Sequence, residues 1–302
     1  MSDQLVKETD SVGSVESTDQ MTTEALSNSY LKLLRDHLTD IDNAGKWQLT
    51  PYAPGQGNFI KRFLLNSLIN FLAKKRFKII SDRPVTDKDV ENRHNGIGWP
   101  LNGYTMIGTK RMDNIRYCLE KILEDKIEGD CIETGVWRGG ATIYMKAILK
   151  IYGIEDKNVW VADSFQGLPK PDAEKYPDDE GDDLYTVEQL RISKEDVQNN
   201  FKNFGLLDNK VKFLKGWFKD TLPNAPMEKL SLIRLDGDMY ESTMDGLVNL
   251  YPKLSPGGYI IIDDYGAIPA CAKAVHDYRE KHGITEEIVE IDWSGRYWRK
   301  SL

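Results

Sequence analysis

The chain has 302 residues, of which 40% are hydrophobic and 29% are charged, which is typical of a globular protein large enough for one extended α/β domain. A formal net charge of −8 argues against broad electrostatic binding to nucleic acid. The longest apolar runs are far shorter than a membrane span and the first residues lack the apolar core of a secretion signal, so we expect neither a nucleic-acid nor a membrane partner.

The N-terminal segment, residues 1–25, is rich in Ser, Thr, Asp and Glu and contains no aromatic residue. Such a segment buries too little apolar surface to offset the entropy that ordering it would cost. The composition therefore predicts a disordered tail. We expect residues 26–95 to form a helical N-terminal extension, and residues 96–302 to form the main domain.

Residues 59–80 are apolar with basic residues at both ends. One interpretation is a helix lying on a membrane surface. The other is a helix whose apolar face packs on the domain or on a second subunit, and the absence of a continuous basic face favours it. Five large residues recur at helical spacing and would form that face: Phe63, Leu64, Leu68, Phe71 and Leu72. We expect this region to contribute to a homo-oligomer.

After Gly129, short apolar segments alternate with amphipathic ones. The predicted strands are 130–134, 159–163, 211–214, 230–236 and 259–263, the last after a turn at 255–258. Predicted helices include 139–150, 242–250 and 269–281. This alternation is typical of a parallel sheet covered by helices on both faces, and it predicts a doubly wound α/β fold.

Three cysteines, Cys118, Cys131 and Cys271, are widely separated and form neither a C-x-x-C pair nor a zinc-binding spacing. This usage indicates a reducing compartment, so we expect a cytoplasmic protein.

Carboxylates stand at nearly every predicted strand end, at Glu133, Asp163, Asp236 and Asp263. Ligands of an open parallel sheet bind beyond these carboxyl ends, near the switch in strand order. Any one carboxylate could cap the following helix. Several at one edge exceed what capping requires, so we expect the functional site there.

The loop after the first strand is rich in glycine but does not match a dinucleotide-binding motif. That motif would need glycine at position 137, where the chain has Trp137, a side chain that hinders the close approach of a pyrophosphate. A cofactor without phosphates fits better. Asp163 can accept hydrogen bonds from both hydroxyls of a ribose. Together these features favour S-adenosylmethionine over NAD.

Asp236, Asp263 and Asp264 place three carboxylates at two strand ends that should be neighbours. Unpaired carboxylates that converge in one cleft repel each other unless a cation or a raised pKa relieves them. Ligand sets made only of carboxylates select Mg²⁺, Mn²⁺ or Ca²⁺. The alternative is that Asp264 caps the next helix and only one carboxylate faces the cleft.

At these residues the chain resembles the macrocin O-methyltransferase family, which methylates sugar hydroxyls of natural products. The resemblance covers about residues 95–302, and the stretches that carry it are 104–108, 133–140, 162–172, 213–223, 232–245, 257–271 and 291–300. It implies a Rossmann-like core and a Mg²⁺-dependent O-methyltransferase that uses S-adenosylmethionine and a small hydroxylated acceptor.

The resemblance also implies roles for single residues. Asp236, Asp263 and Asp264 match the family's metal ligands, Asp238 matches the proposed general base, and Ser242 falls where a substrate contact is expected. Residues 172–187 match a mobile lid; their acidic side chains alone would indicate a solvated loop. The residues that match contacts to the cofactor are Thr105, Met106, Glu133, Gly135, Asp163, Ser164, Gly216, Trp217 and Asp236.

His94, the reaction class and the acceptor each have more than one interpretation. His94 precedes the main domain in a Gly/Asn-rich loop and could line the acceptor pocket, although a lone histidine is more often structural. An NAD-dependent sugar oxidoreductase and a non-catalytic protein that binds S-adenosylmethionine are the alternative functions. The acceptor hydroxyl could belong to a sugar, a cyclitol, a phenol or a polyketide.

Overall fold

The computed structural model of the protein describes residues 13–49, 58–75 and 77–302. Its helices are α1 Gly13–Thr39, α2 Phe59–Lys74, α3 Asp87–His94, α4 Thr109–Glu124, α5 Gly140–Ile151, α6 Lys194–Asn203, α7 Phe218–Thr221, α8 Tyr240–Leu250 and α9 Pro269–His282. Its strands are β1 Asp130–Thr134, β2 Val159–Asp163, β3 Val211–Lys215, β4 Leu230–Leu235, β5 Leu254–Ile262, β6 Val289–Glu290 and β7 Arg296–Arg299.

These strands form one sheet in the order β3-β2-β1-β4-β5-β7-β6. Strands β1 to β5 are parallel, whereas β7 runs antiparallel to β5 and β6 antiparallel to β7. The order reverses between β1 and β4, where a doubly wound sheet binds its ligands. The predicted α/β fold with a mostly parallel sheet is confirmed.

Two details of the sheet differ from the sequence predictions. The antiparallel strands β6 and β7 were not predicted, because β6 has only two residues and no apolar run. The predicted turn at 255–258 lies instead within β5, which begins at Leu254. The register to β4 shifts there and regular pairing resumes at Tyr259, so the Pro-Gly-Gly stretch produces an irregularity in the strand rather than a turn.

Strands β1 to β5 each contribute to two hydrophobic layers. In β1, Cys131 packs into the layer with α4 and α5, and the next residue, Ile132, packs into the layer with α8 and α9. This alternation is what a sheet covered on both faces requires. Both layers leave the carboxyl ends of the parallel strands uncovered, and the site lies there.

Helix α1 corrects the predicted disordered tail. The helix begins at Gly13, so residues 13–25 are helical, while residues 1–12 lie outside the described part of the chain. Its C-terminal half is anchored in the core, with Leu31, Leu34 and Leu38 buried beside α4 and α5. Once that half is fixed, adding each preceding residue forms one hydrogen bond without a new nucleation cost, which composition alone does not reveal.

Helix α2 covers the first part of the predicted segment 59–80 and ends at Lys74. Its large apolar residues are exposed, including Phe63 at 63% and Leu64 at 62%, so this face does not pack on the domain of its own chain. A contact of this face with a second subunit stays a prediction, and a membrane surface is its alternative. Among the described residues, no helix is long and apolar enough to cross a membrane.

Candidate active site

The strand ends at the switch point are joined by backbone hydrogen bonds. Gly135 donates to Ala162 (2.9 Å), Asp236 donates to Thr134 (3.0 Å), and Gly216 donates to Asp163 (2.9 Å). Gly135 has a φ of +80°, and a Cβ there would overlap the backbone oxygen of Asp236. Only glycine therefore lets the first loop turn away from the sheet while β4 ends directly beside it.

A cleft of about 790 Å³, part of it open to solvent, lies over these strand ends. Nine residues that the sequence placed at the site line it: Met106, Gly135, Asp163, Ser164, Gly216, Trp217, Asp236, Asp238 and Ser242.

Asp163 is held in place by backbone donors. One carboxylate oxygen accepts from the N–H of Phe165 (2.6 Å) and the other from the N–H of Val136 (2.9 Å). Burial raises the pKa of Asp163, and these backbone N–H groups act in the opposite direction. The hydroxyl of Ser164 lies 3.4 Å from the oxygen that Phe165 contacts, so the carboxylate is held firmly at the cleft wall.

Trp137 forms part of the cleft wall beside Asp163. Its φ is +46°, and its indole N–H donates to the carbonyl of Gln189 (2.9 Å). This bond joins the loop after β1 to the β2–α6 loop, which we define as residues 164–193. The same loop lines the cleft with Gly167, Leu168, Pro169 and Leu190.

Three carboxylates converge at the other end of the cleft. Asp236, Asp238 and Asp264 each offer an oxygen, and these oxygens all lie within 4.8 Å of one another. Burial, followed by repulsion from neighbouring carboxylates, raises the pKa of Asp236 to about 6 and that of Asp238 to about 8. The same causes raise the pKa of Asp264. A divalent cation would relieve this repulsion, and hard oxygen donors suit Mg²⁺.

Asp263, the third predicted metal ligand, does not present an oxygen to this group, and its role as a ligand stays a prediction. Its two oxygens accept hydrogen bonds from the guanidinium groups of Arg111 and Arg234. Burial opposes ionisation of Asp263, but the two arginines bring its pKa below the ordinary value. The sequence placed Asp263 at the correct strand end but gave no sign of the arginines that pair with it.

Glu133 does not line the cleft, and its predicted contact with the cofactor stays a prediction. One of its oxygens accepts from Arg234 and the other has no hydrogen-bond partner. Burial raises the pKa of Glu133 to about 8 despite this pairing. Arg234 also donates to Asp236 (2.9 Å), so one arginine links three strand ends.

Two further predicted residues do not line the cleft. Thr105 is buried, and its hydroxyl accepts from the N–H of Ile107 (3.4 Å). His94 shares a 2.6 Å hydrogen bond with the hydroxyl of Thr109 and lines a separate surface hollow beside α3 and α4. His94 therefore lies away from this cleft, because α3 carries the ring to the start of α4, and its predicted contact with the acceptor stays a prediction.

The segment 172–187 is not simply a solvated acidic loop. Asp179 is only 2% exposed and accepts hydrogen bonds from the first backbone N–H groups of α8, whereas Asp178 and Asp183 are exposed. Within this acidic segment, Asp179 is therefore buried against the start of α8, whereas Asp178 and Asp183 face solvent.

Several site residues escaped the sequence analysis. Lys219, Glu241 and Asp245 line the cleft near Ser242, but on the sequence they look like ordinary charged residues of helix surfaces. A usable signal existed for Arg234, which interrupts the apolar strand LSLIRL. A buried arginine requires carboxylate partners, and strand ends rich in aspartate supply them.

The chain matches a family model described as macrocin-O-methyltransferase over residues 27–300. Among curated proteins, it is 53% identical over 214 residues to mycinamicin III 3''-O-methyltransferase from Micromonospora griseorubida, covering 70% of this chain and 84% of that protein. It is 52% identical over 214 residues to a Streptomyces olivaceus enzyme, 8-demethyl-8-(2,3-dimethoxy-alpha-L-rhamnosyl)-tetracenomycin-C 4'-O-methyltransferase, covering 70% of this chain and 82% of that protein.

A solved structure has the same fold. The O-methyltransferase NovP is 41% identical and superimposes with a TM-score of 0.75, covering 91% of this chain and 100% of that one. The sheet and its flanking helices are therefore shared over nearly the whole described chain.

Proposed function

The chain belongs to the macrocin O-methyltransferase family and is an S-adenosylmethionine-dependent O-methyltransferase, and we propose that it methylates a sugar hydroxyl of a natural product in a reaction that requires Mg²⁺. The observation that carries this proposal is a cleft lined by Asp163, Asp236 and Asp238, the last two of which converge with Asp264. Because the chain belongs to this family, the alternative function of an NAD-dependent sugar oxidoreductase is excluded.

The end of the cleft near Asp163 is the proposed site of the methyl donor. Asp163 would accept from the ribose hydroxyls while backbone N–H groups keep its carboxylate oriented. Gly135 and Gly216 allow the backbone to approach the donor closely, and Met106 and Trp217 supply apolar surface. The sulfonium would then face the acidic end of the cleft.

The acidic end is the proposed site of Mg²⁺ and the acceptor. Asp236 and Asp264 would hold the ion, because both present an oxygen to the same point, whereas both oxygens of Asp263 accept from arginines. A bound divalent cation lowers the pKa of a hydroxyl beside it and orients the acceptor. Arg234 keeps the Asp236 carboxylate in position through its 2.9 Å hydrogen bond.

Asp238 is the proposed general base. It lines the cleft beside Ser242 and belongs to the group of convergent carboxylates, where its ionised form would take the proton of a bound hydroxyl. The acceptor oxygen attacks the methyl carbon of the sulfonium, the carbon–sulfur bond breaks, and S-adenosylhomocysteine leaves. The hydroxyl proton passes to Asp238 in the same event.

The proposed acceptor class rests on the relatives and on the cleft wall. The tetracenomycin enzyme is named for a rhamnosyl substrate. In this chain Lys219, Glu241, Ser242 and Asp245 place several polar groups around the acidic end, which suits a polyol with many hydroxyls.

We also propose that the chain forms a homo-oligomer through α2. Six large apolar side chains of this helix, each 49–70% exposed, would bury roughly 600 Å² on one subunit, close to a standard interface. They are Phe59, Ile60, Phe63, Leu64, Leu68 and Phe71.

The function is tested by incubating the protein with methyl-labelled S-adenosylmethionine, Mg²⁺ and a panel of rhamnosylated and other glycosylated polyketides, with the unglycosylated aglycones as controls. Mass spectrometry should find label on the sugar fragment of at least one glycoside and on none of the aglycones. Label on an aglycone hydroxyl would contradict the acceptor class. Undiminished transfer in EDTA would contradict the metal requirement.

A further inference from the structure

Asp179 joins the β2–α6 loop to helix α8. One carboxylate oxygen accepts from the backbone N–H of Tyr240 (2.6 Å) and the other from that of Glu241 (3.0 Å). These are the first two residues of α8, and they lie 61 and 62 positions from Asp179 in the sequence. At 2% exposure the carboxylate is almost fully removed from water, so these two bonds account for its burial.

Helix α8 has no N-terminal cap of its own. Its N-cap residue is Met239, which offers no side-chain oxygen, and no side chain near it in the sequence bonds the first turn. The free N–H groups and the helix dipole favour a carboxylate at this position. The chain supplies that carboxylate from the distant loop.

The contact is reinforced on both sides of Asp179. The rings of Tyr176 and Tyr240 lie 6.0 Å apart, and Asp178 forms a 3.3 Å ion pair with Lys273 of α9. The same loop lines the cleft with Gly167, Leu168, Pro169 and Leu190. The segment that docks on α8 and the residues that line the cleft therefore belong to the same loop.

The start of α8 also determines where the acidic group lies. Asp238 is two residues before the helix, has a φ of +57°, and donates its backbone N–H to Asp264 (3.1 Å). Met239 follows in a tight turn, with its N–H 2.6 Å from the carbonyl of Gly237. This turn lies between the N–H groups that Asp179 holds and the carboxylates at the end of the cleft.

We infer that Asp179 is a positioning residue, which holds the first turn of α8 and thereby sets the arrangement of Asp238 and Asp264 when the β2–α6 loop covers the cleft. The role assigned to the acidic group rests on the proposed function. The contact between Asp179 and α8 does not depend on that function, so the inference and the proposed function can be tested separately. Asp179 touches neither donor nor acceptor and acts through the backbone of Tyr240 and Glu241.

Three variants test the inference: Asp179→Ala removes both acceptors, Asp179→Asn keeps one, and Asp183→Ala removes an exposed aspartate of the same loop as a control. Mn²⁺ binding is measured by electron paramagnetic resonance and hydrogen exchange by mass spectrometry, both with S-adenosylhomocysteine present. In Asp179→Ala the amides of Tyr240 and Glu241 should exchange about fivefold to thirtyfold faster, the equivalent of a lost cap. Residues 166–190 should lose protection with them.

The Kd for Mn²⁺ should also rise, by about fivefold in Asp179→Ala and less in Asp179→Asn, while Asp183→Ala behaves as wild type. A lower melting temperature with unchanged Mn²⁺ affinity would make Asp179 a purely structural cap and overturn the inference. Unchanged protection of residues 166–190 would overturn its link to the loop. Absence of Mn²⁺ binding to the wild-type protein would instead contradict the proposed metal site, and the exchange data would still decide whether Asp179 joins loop and helix.

Discussion

The backbone N–H of Asp238 donates to the carboxylate of Asp264 across 3.1 Å, so the residue proposed as base and a residue proposed as metal ligand are held together by the main chain. Asp264→Asn keeps an acceptor for this bond but removes the negative charge. We predict that Mg²⁺ affinity falls at least about tenfold, the lower end of what even outer-shell partners of a metal contribute. Calorimetry should show this loss, with affinity for S-adenosylhomocysteine unchanged.

Asp263 gives a matched contrast for Asp264, because the two aspartates are adjacent but have different partners. Asp263→Asn leaves Arg111 and Arg234 buried with less negative charge, and breaking such a buried pair costs about 3–5 kcal/mol. Asp263→Asn should therefore lower the free energy of unfolding, which denaturant titration measures. If Asp263→Asn lost Mg²⁺ affinity at unchanged stability, Asp263 would be a metal ligand and the structural assignment would be contradicted.

The cofactor assignment depends on Asp163. Asp163→Ala removes the two oxygens that backbone N–H groups orient toward the cleft. The affinity for S-adenosylmethionine should fall by about 1.5–3 kcal/mol, the range for hydrogen bonds to a charged group. Calorimetry without added metal measures it. NAD should not bind to the wild-type protein, and comparable affinity for NAD and S-adenosylmethionine would refute the assignment.

The sequence predicted those parts of the fold that depend on local pattern. Apolar periodicity located β1 to β4 within about one residue, and the carboxylates at strand ends located the cleft. It did not predict the pairing of Asp263 with Arg111, because Arg111 lies 152 positions earlier and only the tertiary fold brings them together. The contact between Asp179 and α8 is equally non-local. The position of His94 depended on the direction of α3, which periodicity leaves undetermined.

Asp245 makes the free energy of unfolding of the protein depend on pH. Burial, and then repulsion from Glu241, raises its pKa to about 6, above the value in an unfolded chain. Between about pH 4 and 6 the folded state therefore binds more protons than the unfolded state, and stability falls as the pH rises. Asp245→Asn should increase the free energy of unfolding at pH 7.5 by about 1 kcal/mol, allowing for partial exposure, with little effect at pH 4.

This expectation is checked by urea unfolding of both proteins across that pH range. Because Asp245 lines the cleft, the stabilised variant should also bind the acceptor less well. An equal change in stability at pH 4 and pH 7.5 would show that ionisation of Asp245 is not the cause.

The exposed face of α2 predicts an interface between subunits. Leu64→Glu and Phe63→Glu should shift the protein toward the monomer in analytical ultracentrifugation, because a charge on an apolar interface is costly to bury. Lys61→Glu on the same helix is the control, since that residue is already charged and exposed. Flotation with anionic liposomes should leave the wild-type protein unbound. Salt-sensitive co-flotation would favour a membrane-surface helix instead.

The most direct test of the mechanism is the rate of methyl transfer by Asp238→Asn, measured on a protein whose affinities for S-adenosylhomocysteine and Mn²⁺ are also determined. If Asp238 takes the proton of the acceptor hydroxyl, kcat should fall by about 10²–10⁴-fold, the usual contribution of a general base, while both affinities stay close to wild type. A normal rate would assign the base elsewhere. A rate that excess Mg²⁺ restores would make Asp238 a metal ligand and contradict its role as base.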